Sequence, residues 1–488
     1  MAISFDTIPE KLRLPFTAIE FSNRLAGNAN IDFKMLVIGQ RLSTGTIPAG
    51  QAVRANSPEE LEAYFGRGSM LAEMGKAQIN ADQFTEKWFL ALDDASGGEQ
   101  ATGSITVTGP ATRGGTVFLY IAGYRLLIGV DAADTDEDIA SAIVAAITAE
   151  TTLPVTAEVN GAESTEVDIT CKWKGETGND IDMRLNFYDE ALPDGVGLTF
   201  VAMSGGTGNP DLTDVFTAIG DEWYNWLAVP YTDTANLVVL EAEAESRWGP
   251  MRAIGFRAFT AFKGTHSETG TFGSGRNGPH VTCMGTNDSP TPPYLWAGVN
   301  CVVAAASLQI DPARQLRTLA LPGIKPPKKE LRWDGTERNQ LLFDGIATYS
   351  VDRGGLVRIE RQISMYQTNA SGFADDSYLN INTAETLERI RFEQRAMVSQ
   401  KFPRHKLADD DFDIPAGQAV VTPNAMEDEF LALYTVFMDR GWCQDYEGYK
   451  ATIIAEIHDD DPDRLDMYDS PKLINNLRVT AVHTEYRR

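Results

Sequence analysis

At 488 residues with 43% apolar side chains, the chain is long for one hydrophobic core, and roughly two to four domains, or one core carrying a large insertion, are expected. A formal charge of -27 argues against a basic nucleic-acid-binding surface and keeps a concentrated protein soluble. The longest apolar stretch, residues 294–310, contains Gly298 and Asn300 and falls short of the ~20 residues of a membrane span, so it reads as a buried helix and membrane insertion is not expected.

Residues 1–30 have extended character around Phe16, Ile19 and Phe21 but too few apolar residues for a core, and they read as an arm. Charges and prolines interrupt every apolar residue there, so no secretory signal is visible. Met35-Leu36-Val37-Ile38-Gly39 is a short apolar run suited to a strand buried on both faces. Ser57-Pro58-Glu59-Glu60 then announces a helix, with serine as cap, proline at the first helical position and glutamate three residues after the cap. Between Asp93 and Gly103, serine, glycine and acidic residues replace the apolar pattern and mark a domain junction.

Residues 102–208 read as a self-contained unit. Strands are expected at 105–107, 117–121 and 124–130, the last two joined by an Ala122-Gly123 turn. A helix starts near Asp136, where Ile139, Ile143 and Ile147 share one face, and strands follow at 155–159 and 167–170. The run Gly205-Gly206-Thr207-Gly208-Asn209-Pro210 closes what reads as an insertion domain. A helix-like segment then runs from Asp233 through Leu237 and Leu240 to Trp248, ahead of the buried helix and a proline-rich turn at 321–329. In the last third, Val357, Ile359, Ile363 and Met365 share a strand face. Helices near 383–401 and 426–440 follow, the second ending at Gly441. A strand at 452–457 precedes a strand-like terminal segment, 477–486. No fixed-period repeat or heptad run occurs.

Chemical motifs are weak throughout. Gly273-Ser274-Gly275-Arg276-Asn277-Gly278 matches G-x-G-x-x-G, but no apolar strand leads into it and Pro279 follows it, so it reads as a loop. An α/β enzyme with a ligand site at Gly273–Gly278 is therefore the rival reading. No G-x-x-x-x-G-K-[ST] or G-x-S-x-G sequence occurs. His280 and Cys283 are two ligands where a structural zinc site takes about four, and no metal site or cofactor is expected. Acidic runs at 131–138, 409–413 and 459–466 lack the glycine and terminal glutamate of a calcium loop; the first reads as a helix start and the others as solvated loops. The four cysteines, Cys171, Cys283, Cys301 and Cys443, form no C-x-x-C pair and read as free thiols of a protein folded in a reducing cytoplasm. No catalytic residue is assigned. The two terminal segments are strand-like without an evident local partner, the pattern of a segment either disordered or paired with another chain.

Several stretches, running from near residue 10 to the end, resemble the tail sheath family of Mu-like contractile phages. They are Met35-Leu36-Val37-Ile38-Gly39-Gln40, Phe65-Gly66-Arg67-Gly68-Ser69-Met70-Leu71, Gly175-Glu176-Thr177-Gly178-Asn179-Asp180-Ile181, Arg247-Trp248-Gly249-Pro250-Met251, Asp311-Pro312-Ala313-Arg314, and Gly417-Gln418 with Val421-Thr422-Pro423. Their order and spacing together carry the resemblance.

The resemblance implies a non-enzymatic sheath protomer. It would assemble with itself as stacked six-membered rings around an inner tail tube protein, meet baseplate and tail-terminator proteins, and contract to drive the tube through the host envelope. It would reside in the virion after assembly in the host cytoplasm. Another virion component is the nearer alternative to the enzyme reading. The fold expected is multidomain α+β, a mixed α/β core with a β-rich insertion domain and extended N- and C-terminal strand arms. Its parts are an arm at 1–30, core at 31–98, insertion at 99–209, core at 210–350, C-terminal sheath domain at 351–476 and arm at 477–488. In that family the arms add strands to sheets of neighbouring protomers, which implicates Ala18, Ile19, Glu20 and Phe21 with Val479, Thr480, Ala481, Val482 and His483.

Overall fold

The computed structural model describes residues 32–415 and 417–487. They form a mixed α and β structure in two compact units, one of residues 33–386 with 476–487 and the other of 387–475.

The larger unit is built on a six-stranded sheet. Lys34–Gln40 lies near its middle, parallel to Glu86–Leu92 on one side and Trp226–Ala228 on the other, and Arg257–Phe262 and Val281–Gly285 continue the parallel run. The short strand Ala52–Arg54 closes the far edge antiparallel. Met35 to Ile38 are fully buried on both faces of the strand, which is why the sequence there is a continuous apolar run and does not alternate. Counted in chain order, the parallel strands stand 2-1-3-4-5, a doubly wound arrangement whose order reverses between Lys34–Gln40 and Trp226–Ala228.

Pro293–Leu308 is the buried helix expected from its composition; it packs against both Met70–Ala81 and the sheet and is buried along most of its length. Ser57 caps Pro58–Phe65 by accepting from the Glu60 amide. Residues 99–207 form two further sheets, Gly197–Ser204 with Gln100–Thr108, Glu166–Lys174 and Val155–Val159, and Tyr124–Val130 with Gly115–Ile121 and Met183–Leu185. Asp136–Ala149 packs on them through Ile139, Ile143 and Ile147, around a core that includes Trp173 and Ile169. Ala122 and Gly123 make the expected turn, both with positive φ.

In the smaller unit, Pro423–Asp439 ends at Gly441, whose φ of 70° is the left-handed stop expected there. Tyr434 stacks on Tyr449 of Tyr446–Thr452 at 3.7 Å between ring centroids, and its hydroxyl donates to the Gln444 carbonyl. An antiparallel hairpin, Ile454–His458 with Asp461–Tyr468, completes it. Three readings need correction. The acidic run 459–466 is not a solvated loop, because Asp461 onward pairs as a strand. The face shared by Val357, Ile359, Ile363 and Met365 is buried, but the ladder stops at Arg361 and the chain continues as an irregular buried stretch. Gly273 and Ser274 close the helix His266–Ser274, so the glycine motif begins in a helix and only then becomes a loop.

Candidate assembly interface

Two places where a ligand would be sought, the crevice of the central sheet and the glycine motif, are filled by the chain itself. In doubly wound sheets the crevice at the carboxyl ends of the strands, where their order reverses, is the usual ligand site. Here Gln40, at the end of its strand, donates from Nε2 to Asp94 Oδ1 and to the Lys174 carbonyl, each at 2.7 Å. Asn209 accepts from the Glu176 amide at 2.9 Å and donates to Asp233 Oδ2 at 2.8 Å, and Lys263 Nζ reaches the Asp180 carbonyl at 3.1 Å. The segment 174–180 thus plugs the crevice, and Tyr231 beneath it is fully buried.

The glycine motif is equally occupied. Gln367 Nε2 donates to the carbonyls of Gly273 and Arg276, and Asn277 Oδ1 accepts from the amides of Gln367 and Thr368. Gly273 has no side chain because Asp344 and Ile346 run against it. Its groups close a packing contact and leave no nest for phosphate.

The acidic run at 131–138 does start a helix: Thr135 accepts from the Asp138 amide while Asp138 accepts from that of Thr135. All four cysteines are buried and unpaired, and burial pushes the Cys171 and Cys283 thiols up to about 12. Among the described residues, no three His, Cys, Asp or Glu side chains gather to hold a metal ion, and no helix is long and apolar enough to cross a membrane.

Two stretches of backbone are open. Residues 476–487 run without a ladder partner among the described residues, and Val479 and Val482 are 82% and 78% exposed. Thr480, Ala481 and His483 are exposed too, so all five candidate exchange residues of this segment stand in solvent. Leu477 and Tyr486 add two more bare apolar side chains. The segment is held at its root, where Gln315 Nε2 donates to the Leu477 carbonyl at 2.8 Å. Ala18, Ile19, Glu20 and Phe21 lie outside the described residues.

The second open element is the hairpin Ile454–His458 with Asp461–Tyr468. It is a sheet of two strands only, so each strand keeps an unpaired edge among the described residues. One donor on the first edge is capped: Glu427 Oε1 accepts from the Ala455 amide at 2.6 Å. A carboxylate on an edge is a common guard against indiscriminate pairing. Sequence inspection found the first of these strands and missed the second, whose acidic residues conceal its alternation.

Three family models match the chain in succession: the phage tail sheath protein beta-sandwich domain over residues 96–199, its central domain over 205–365 and the tail sheath C-terminal domain over 374–487. The tail sheath protein of the Mu-like prophage FluMu from Haemophilus influenzae is 41% identical over 484 residues, covering 99% of each chain. Among solved structures, a sheath tail protein from Listeria innocua aligns over 92% of this chain and 93% of its own at 13% identity, with a TM-score of 0.48. The contracted helical sheath of the anti-feeding prophage aligns over 98% and 99% at 9% identity, also with a TM-score of 0.48.

Proposed function

The chain belongs to the phage tail sheath family, and from that premise we propose that it polymerises by strand exchange into a tube of stacked six-membered rings around an inner tail tube. The tube it forms shortens to drive the inner one through a host envelope. The observation that carries this reading is the pair of open backbone elements. An exposed segment with bare valines and no ladder partner among the described residues is one half of a β-augmentation, and a hairpin whose edges are unfilled by them is the other. Val479, Thr480, Ala481, Val482 and His483 are the donor strand at one end, and Ala18, Ile19, Glu20 and Phe21 the donor at the other.

In this reading the protein is no enzyme. Its crevice and glycine motif are packed with its own side chains, and no bound nucleotide is required for the stroke. Packed interfaces have discrete alternative arrangements, so a polymer built in the less stable one can release free energy by relaxing to the other. Strand-exchanged arms keep neighbours connected while the globular parts re-pack. Its partners are copies of itself, the tube, and the proteins at the baseplate and terminator ends, met in the host cytoplasm before the virion is complete.

The test is negative-stain electron microscopy of three purified proteins: the full chain, the chain without residues 1–22, and the double variant T480P/V482P. Proline removes the amide that a ladder needs. The full chain is expected to give hollow tubes or stacked rings, and the other two compact particles. Absence of polymer from the full chain, even when co-expressed with a tube protein, would sink the reading.

A further inference from the structure

Arginines in this chain have a large excess of acids to choose from, 69 Asp and Glu against 42 Lys and Arg. Arg184, Arg252, Arg276 and Arg338 each hold a carboxylate at 3.1 Å or closer. Arg361 and Arg478 do not. Among the described residues neither has a carboxylate at ion-pair distance, although both are partly buried, and the Nε of Arg361 is buried with no acceptor. The backbone brings them together. The Thr318 amide donates to the Ile359 carbonyl, which sets the 315–318 stretch beside the end of the Val357–Arg361 strand. Gln315, on that stretch, anchors the Leu477 carbonyl, next to Arg478. Burial lowers the proton affinity of both guanidiniums, and Arg361 lowers that of Arg478 further, with Asp376 the acid that opposes it. Arg314 and Arg317, on the same stretch, are exposed and likewise have no ion pair among the described residues.

Two partly buried like charges close together, opposed by Asp376 but with no carboxylate at ion-pair distance among the described residues, are unfavourable unless something else supplies one. We propose that Arg361 and Arg478 form a carboxylate-binding site for an acidic segment of a second copy of this chain. The inference rests on the polymerisation reading. A planar guanidinium pair suits bidentate carboxylates. The chain exposes such groups at 459–463, in the turn of the hairpin and the start of its second strand, and at 409–413. Arg478 directly precedes the exchange residues Val479 to His483 and stays at the anchored root of the segment, so a neighbour that accepts the strand arrives beside both guanidiniums. The hairpin turn of that neighbour is the occupant to which the proposal commits.

The test measures the concentration at which tubes form, by sedimentation, for the full chain and for R361Q/R478Q and R361E/R478E. The critical concentration is expected to rise about tenfold or more for the glutamine pair and further for the glutamate pair, as for truncation of one side of a desolvated charge pair. Thermal unfolding of R361Q/R478Q below that concentration is expected to be unchanged or raised, because a repulsion has been removed. Adding D459K/D460K/D461K to R361E/R478E should restore assembly. Restoration instead by lysines at Asp409, Asp410 and Asp411 keeps the site and overturns the choice of turn. Variants that polymerise at the wild-type concentration overturn the proposal while leaving strand exchange standing. Arginine-dependent stabilisation by inorganic phosphate, with assembly unaltered, also overturns it. A wild-type chain that never polymerises overturns both.

Discussion

The Asp180 carboxyl lies in the segment that plugs the central sheet, where burial pushes its pKa up to about 6 against the opposing charge of Lys263. Unfolded, it titrates near its ordinary value of about 3.9. Between those values the native state holds a proton that the unfolded chain has released, so this contribution to stability is complete below about pH 4 and is lost as the pH rises through about 6. Replacing Asp180 by Asn removes the cost of charging the buried group. Urea unfolding is expected to show D180N more stable than wild type by about 1 to 2 kcal/mol at pH 8 and little changed at pH 4. The segment Gly175 to Ile181 was legible as part of a family resemblance. The reason for its acid was not, because burial of Asp180 depends on Lys263 and on the crevice, both far away in the chain.

At the scale of elements, helices announced their own boundaries. The caps at Ser57 and Thr135 act within three residues of themselves, so local chemistry suffices to read those starts, whereas the helix expected from about 426 begins earlier, at Pro423 behind the Thr422 cap. Short strands did not. Trp226–Ala228 is three residues long, and Asp461–Tyr468 is mostly acidic and polar; both are strands only because a partner strand supplies the ladder. The helix His266–Ser274 shows the same limit for glycine. A Cβ on Gly273 would stand 2.2 Å from the Asp344 carbonyl oxygen and 2.6 Å from Ile346 Cγ1, so the helix needs glycine for approach and not for phosphate. G273A is expected to destabilise the protein by about 1 to 3 kcal/mol, read as a lower thermal midpoint. Nucleotides should leave the wild-type midpoint where it is.

For the whole molecule, a charge of -27 on every copy opposes polymerisation until it is screened. Raising sodium chloride from about 20 mM to 150 mM shortens the Debye length to about 8 Å, and the critical concentration for tubes is expected to fall several-fold, measured by sedimentation. A rise would mean that attraction between opposite charges, as at Arg361 and Arg478, outweighs the repulsion between like ones.

The amino-acid sequence by itself determined which segments bury apolar faces, where most helices begin and stop to within a few residues, and that residues 1–30 lack the apolar content to make a core. These are properties of a residue and its near neighbours, and side-chain spacing is enough to express them. Tertiary structure alone decided the 2-1-3-4-5 order of the sheet, the plugging of its crevice, the purpose of Gly273 and the meeting of Arg361 with Arg478. Each of those depends on contacts between residues far apart in the chain, and the free energy that selects among such contacts is shared by many side chains and written in none of them singly.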